Sequence, residues 1–125
     1  VRAQRMNDEP MPWPPSLNHY WRHVTTGPLK GRSLISMEGK AYRRQIMAMA
    51  LQYRWHRFEG VRLVVTMKCS APDNRRRDLD NIPKALLDAL VHAKVLEDDS
   101  IIDELHIIRL PSRALGTVFL TITTR

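Results

Sequence analysis

Apolar and polar residues alternate most clearly from Val61 to Cys69. Val61, Leu63, Val65, Met67 and Cys69 fall on one side, with Arg62, Val64, Thr66 and Lys68 on the other. That period of two predicts a strand with one buried face. A period near 3.6 runs from Ser36 to about Trp55 through Tyr42, Ile46, Met49, Ala50 and Tyr53 and predicts the longest helix. Ser36 is its expected N-cap and Glu38 sits in its first turn, where the helix dipole favours negative charge. A second helix is predicted over Asp80–Ala93, capped by Asp80, with Pro83 tolerable in its first turn. Ile82, Ala85, Leu86, Ala89, Leu90 and Ala93 form its apolar face. Ile102–Leu110 and Thr117–Thr124 read as strands joined by Pro111–Gly116, and are expected to pair as an antiparallel hairpin.

The remaining stretches lack periodicity. Residues 1–9 are polar and mixed in charge and are expected to be disordered or poorly packed. Pro10–Pro15 holds four prolines and predicts an extended path. Thr25–Ser33 and Ser70–Arg77 carry loop signatures. The expected fold is a single small α+β domain over residues 10–125, with a mixed or antiparallel sheet and two main helices.

Composition narrows the partner. Twenty Lys and Arg against thirteen Asp and Glu give a net charge of +7, which favours a polyanion such as nucleic acid over solubility alone. The longest uninterrupted apolar run, Ile46–Leu51, is far short of a membrane span, so no membrane partner is expected. A lone cysteine, Cys69, on the buried side of its strand and no basic-then-apolar signal segment fit a cytoplasmic protein. The five histidines show no paired ligand spacing with cysteine, which argues against zinc.

The chemistry concentrates between Arg75 and Asp99. Arg75, Arg76 and Arg77 precede Asp78 and Asp80, and the acidic run Glu97, Asp98, Asp99 follows the second helix. In an extended or loop segment Asp78 and Asp80 point the same way, with Leu79 turned into the core. Two such carboxylates suit a hard cation such as Mg2+, or Mn2+ in its place. Asp99 would have to return past a helix about 18 Å long to join them, and spacing alone does not establish that return. Lys84 lies one turn beyond Asp80. It either pairs with Asp80 on the surface or stabilises a developing phosphate anion. The arginines are suited to a phosphate backbone. In Ser16–His23, Asn18, Tyr20, Trp21 and Arg22 mix aromatic, polar and basic groups, which either stack on bases and contact phosphates or pack on the core. The cluster points to metal-assisted phosphodiester chemistry, with a non-cleaving DNA-binding module or a less selective nuclease as alternatives.

RRRDLDNIPKALLDAL followed by LEDDSIIDEL closely resembles the RusA family of Holliday junction resolvases. The likeness extends to WPPSLNHYWRH and SMEGKAYRRQI and covers about Pro12 to Thr123. The resemblance implies a Mg2+-dependent endodeoxyribonuclease acting as a homodimer on four-way DNA junctions. It implies that Asp78, Asp80 and Asp99 bind the metal, that Lys84 is the catalytic lysine, and that Arg77 and Asn81 assist at the site or on DNA. Two departures stand out. Met6–Glu9 is polar where the family has an apolar strand, and Glu97 stands where an apolar residue is expected.

Overall fold

The first strand is one that the hydrophobic pattern hides. The computed structural model describes residues 5–125. In chain order its elements are β1 (Arg5–Pro12), α1 (Leu17–Tyr20), β2 (Trp21–His23), β3 (Ser33–Ile35), α2 (Met37–Tyr53), β4 (Leu63–Ser70), α3 (Ile82–His92), β5 (Ile102–Leu110) and β6 (Thr117–Thr124). Residues 5–9, expected to be disordered, belong to β1 and pair with β6, with Met6 opposite Ile122. The expectation for residues 1–4 lies outside the described residues. The reason for the difference is a bulge between Met6 and Glu9, where Asp8 takes a left-handed φ of 47° and its N–H donates to Thr121 Oγ1 at 3.0 Å. The extra residue shifts the phase, so Met6 and Met11, an odd number of positions apart, are both buried.

The main sheet is mixed, in the order β1-β6-β4-β5. β6 is antiparallel to both β1 and β4, while β5 is parallel to β4, with Leu63 beside Ile102 and Ser70 beside Leu110. The expected β5–β6 hairpin therefore does not form. β6 reads TVFLTITT, without a charge, and takes an inner position. β5 carries Asp103, Glu104, His106 and Arg109 and lies at the edge, where charged groups reach water. β1, with Pro10 and Pro12, takes the opposite edge, where a missing N–H costs no ladder bond. The 111–116 connection passes over the end of β4, and Arg113 N donates to Ala71 O at 2.9 Å. Six residues reach about 20 Å, enough to cross two strand spacings of roughly 4.8 Å each.

The parallel β4–β5 pair requires a crossover, and α3 supplies it. Leu63, Val65, Met67 and Cys69 on β4 and Val118, Leu120 and Ile122 on β6 meet Ile46 of α2 and Ala85, Leu86, Ala89 and Leu90 of α3 in one core. α2 follows its expected start: Ser36 Oγ accepts from Gly39 N at 2.9 Å. It ends at Arg54, which adopts a left-handed conformation with φ 51°. Its expected apolar stripe is buried only at Tyr42 and Ile46, and Tyr53 is exposed. The short β2–β3 ladder has no counterpart in the sequence pattern.

Candidate active site

Ser70 is the last residue of β4, and the chain then turns through Pro72, Asp73 and Asn74. Asp73 anchors the arginine run beyond that turn. Its carboxylate accepts from Arg77 Nη1 at 2.8 Å and from Arg75 N and Nε at 3.0 and 3.1 Å. These bonds, Arg77 first, hold its carboxyl well below the usual carboxylate range. Arg77 also lies over the Trp13 ring, 5.8 Å from its centroid, and its carbonyl accepts from Arg109 Nη2 at 2.8 Å. Arg75 and Arg77 are thus pre-oriented. Arg76 is exposed and has no hydrogen bond or ion pair among the described residues. Asp73 gave no signal in the sequence beyond its loop character.

The next turn, Leu79–Asn81, is a 3-10 helix closed by Asn81 N to Asp78 O at 3.2 Å. Leu79 packs against the core while Asp78 and Asp80 are exposed, as their alternation predicts. Asp80 does not cap α3. The helix starts at Ile82 behind Asn81, whose side chain makes no cap bond, because the tighter turn ends the run of usable donors and Pro83 lacks one. Neither the Asp78 nor the Asp80 carboxylate has a hydrogen bond or ion pair among the described residues, although neighbouring Asp73 draws two arginines. Lys84 is exposed on the first turn of α3, and the surface pair with Asp80 is not formed. Asp78, Asp80, Asn81 and Lys84 therefore share one end of the domain, beyond the C-terminal ends of β4 and β5.

Asp99 stands at the other end. It opens the 3-10 turn Asp99–Ile101 that leads into β5, at the level where Ile102 pairs with Leu63. From Ile102 to Arg109, which touches Arg77, β5 extends about 23 Å. Within one chain Asp99 is thus roughly 20 Å from Asp78 and Asp80, and the three are not brought together. Among the described residues, no three of His, Cys, Asp and Glu gather to hold a metal ion within the chain. The other acids here have partners. Glu97 Oε2 accepts from Gly60 N at 3.0 Å, Asp98 accepts from Ser100 Oγ, and Asp103 pairs with Arg62 at 2.7 Å. The Ser100 hydroxyl holds the Asp98 carboxyl below its ordinary value.

The N-terminal residues divide. Asn18 on α1 and Arg22 on β2 are exposed, and the loop carrying Lys30 and Arg32 is open to solvent. Tyr20 is fully buried, so it packs instead of presenting a stacking face, and Trp21 meets it edge-on at 5.2 Å. The Tyr20 hydroxyl donates to Asp88 Oδ2, which also accepts from Arg43 Nε and Nη2 at 3.0 and 2.8 Å. This cluster ties α1, α2 and α3 together. Burial, reinforced by the bond to Asp88, raises the Tyr20 phenol. The three residues lie far apart in sequence, and no spacing announces them. A pocket of about 710 Å³ lies between α1 and the Asp78 turn, with Trp13, His19, Arg76 and Asn81 among its walls.

The sequence matches the family described as Endodeoxyribonuclease RusA over residues 10–123. It is 40% identical over 109 residues to the crossover junction endodeoxyribonuclease RusA of Enterobacteria phage HK97, covering 85% of this chain and 87% of that protein. It is 37% and 36% identical over 113 residues to the proteins of that name from Shigella sonnei strain Ss046 and Escherichia coli strain K12, covering 90% of each chain.

Proposed function

This chain belongs to the RusA family of endodeoxyribonucleases, and on that premise we propose that it works as a magnesium-dependent homodimer that cuts both strands of like polarity in a four-way junction. It is a crossover junction endodeoxyribonuclease, a hydrolase of DNA phosphodiester bonds that resolves Holliday junctions. Among the described residues, no helix is long and apolar enough to cross a membrane, and a DNA substrate fits action in the cytoplasm.

The observation that carries the reading is a pair of exposed carboxylates, Asp78 and Asp80, and an exposed Lys84, all without side-chain partners among the described residues, in a chain of net charge +7. Like charges held this close repel unless a cation lies between them. Their hard oxygen donors and open surroundings fit Mg2+, with Mn2+ able to replace it. Asp99 is too far away within its own chain, so Asp99 of the partner subunit completes the set. A two-fold dimer then makes two equivalent centres, as two symmetric nicks require. Bound there, magnesium supplies Lewis-acid polarisation of the scissile phosphate and activation of the attacking water.

The chain's own groups do the rest. Asp78 and Asp80 present negative charge on one turn. Lys84 brings an ammonium to the phosphate as charge develops or orients the incoming water. Arg75 and Arg77, braced by Asp73, hold the DNA backbone together with the free Arg76. Asn81 beside that run, and the exposed Asn18 and Arg22, add further contacts to DNA.

The test is a labelled synthetic four-way junction, incubated with and without Mg2+, beside linear duplex and flap controls. Paired nicks that vanish in EDTA are expected. Asp80→Asn should lower cutting by roughly two orders of magnitude. Junction affinity should hardly change, because phosphate contacts supply most of it. Binding without nicks in either Mg2+ or Mn2+ would make the protein a binding module instead, and equal cutting of all three DNAs would remove its selectivity for junctions.

A further inference from the structure

The pocket beside Asp78 has a chemistry that phosphate contacts do not explain. It measures about 710 Å³, within the range of small-ligand sites. Trp13, Pro14, Pro15, Pro72 and Ile82 give it apolar walls. A phosphate or sugar gains nothing from such walls, whereas the flat face of a nucleobase does. Ser16, His19 and Asn81 add hydrogen-bonding groups of the kind that read base edges. Arg75 and Arg76 line the same pocket and bring positive charge to the phosphates of a bound nucleotide. Asp78 lines the pocket as well, so an occupant sits against its carboxylate, two residues from that of Asp80.

We propose that this pocket receives a nucleobase unstacked at the branch point, next to the phosphate that is cut. The inference rests on the nuclease reading of Asp78 and Asp80 and adds the source of selectivity. A base inside an intact duplex is held in its stack and cannot enter; extruding it costs a few kcal/mol. A base at a four-way branch is already partly released. A linear duplex can therefore engage the arginines yet leave the pocket empty, and its phosphate is not drawn to the carboxylates.

The experiment combines changes on both sides of the contact. An abasic nucleotide is placed in turn at each position outward from the crossover of the cleaved strand. Binding of the full chain is measured in EDTA and cutting in Mg2+. Ser16→Trp fills the pocket from an exposed position whose side chain makes no cap bond. Trp13→Ala removes a wall. For the wild-type protein, one abasic position should lower affinity roughly 5- to 150-fold, the effect of losing one stacked base. Ser16→Trp should cause a similar loss on the intact junction and no further loss at that abasic position, while its duplex binding stays within about twofold. If the abasic and Ser16→Trp losses simply multiply, or no position stands out, the proposal is overturned. If Trp13→Ala fails to fold, Ser16→Trp decides alone. A wild-type protein that binds but never nicks would defeat the nuclease reading, and binding in EDTA would still decide whether the pocket takes a base.

Discussion

Replacing Asp88 by alanine tests the cluster that ties α1 to the helix bearing Lys84. The carboxylate accepts three bonds, one from the Tyr20 hydroxyl and two from the Arg43 guanidinium. Its loss leaves the hydroxyl hydrogen of a fully buried tyrosine and a guanidinium whose side chain is only 21% exposed without their shared acceptor, with the 3.0 Å bond from Arg43 Nε to the Tyr20 oxygen remaining. A hydrogen bond to a charged group contributes about 1.5–3 kcal/mol, and breaking a fully buried pair costs about 3–5 kcal/mol. The Asp88 side chain is 33% exposed, so water recovers part of that cost. Alanine also improves helix propensity by about 0.5 kcal/mol. The net expectation is a loss of about 2 kcal/mol, or a Tm lower by roughly 6–10 °C for a domain this size. Urea titration and thermal unfolding followed by circular dichroism measure it. A double-mutant cycle with Arg43→Ala should return a coupling of at least about 1 kcal/mol. A loss under about 0.5 kcal/mol, or strict additivity, would refute the reasoning and reduce the cluster to a surface contact.

Other expectations follow from the same packing. A Cβ on Gly39 would lie 2.7 Å from Ile35 Cγ1 and would press on the Tyr20 carbonyl, so Gly39→Ala should destabilise by about 1–3 kcal/mol despite its better helix propensity, read as a lower urea midpoint. Burial raises both the Tyr20 and Tyr42 phenols above their ordinary value. Below pH about 10 they are protonated in the folded and unfolded states alike; above it the unfolded chain releases protons that the folded chain keeps. Stability should therefore fall as pH rises beyond about 10, and Tyr42→Phe should flatten that decline in urea titrations taken from pH 8 to 11, after losing about 1 kcal/mol with its 2.9 Å bond to Pro12 O.

Much of this fold is legible along the chain because its elements follow single periods. β4 keeps its period of two, and Leu63, Val65, Met67 and Cys69 on one face are buried while Val64 on the other is half-buried. Ser36 announces the start of α2 by its residue type alone. What escapes is set by registers and distant partners. The bulge at Asp8 conceals β1 by breaking its alternation. The absence of charge in β6 and its abundance in β5 separate inner strand from edge, a signal present in the sequence but outweighed by the short link between them. The Asp78–Asp80 turn is readable because both residues belong to one local motif. The position of Asp99 depends on which end of the sheet α3 returns the chain to, and only the parallel pairing of β4 with β5 decides that.

Mixing two inactive variants tests the proposal that each cutting centre is shared between two subunits. Asp78→Asn and Asp99→Asn should each abolish nicking when assayed alone. If Asp99 acts across the dimer, a mixed dimer holds one centre with both changes and one with neither. Unfolding and refolding the two together should then restore roughly a quarter of wild-type nicking, as single rather than paired cuts. No recovery, with mixed dimers shown to have formed, would contradict the shared centre and require Asp99 to act within its own chain or not at all.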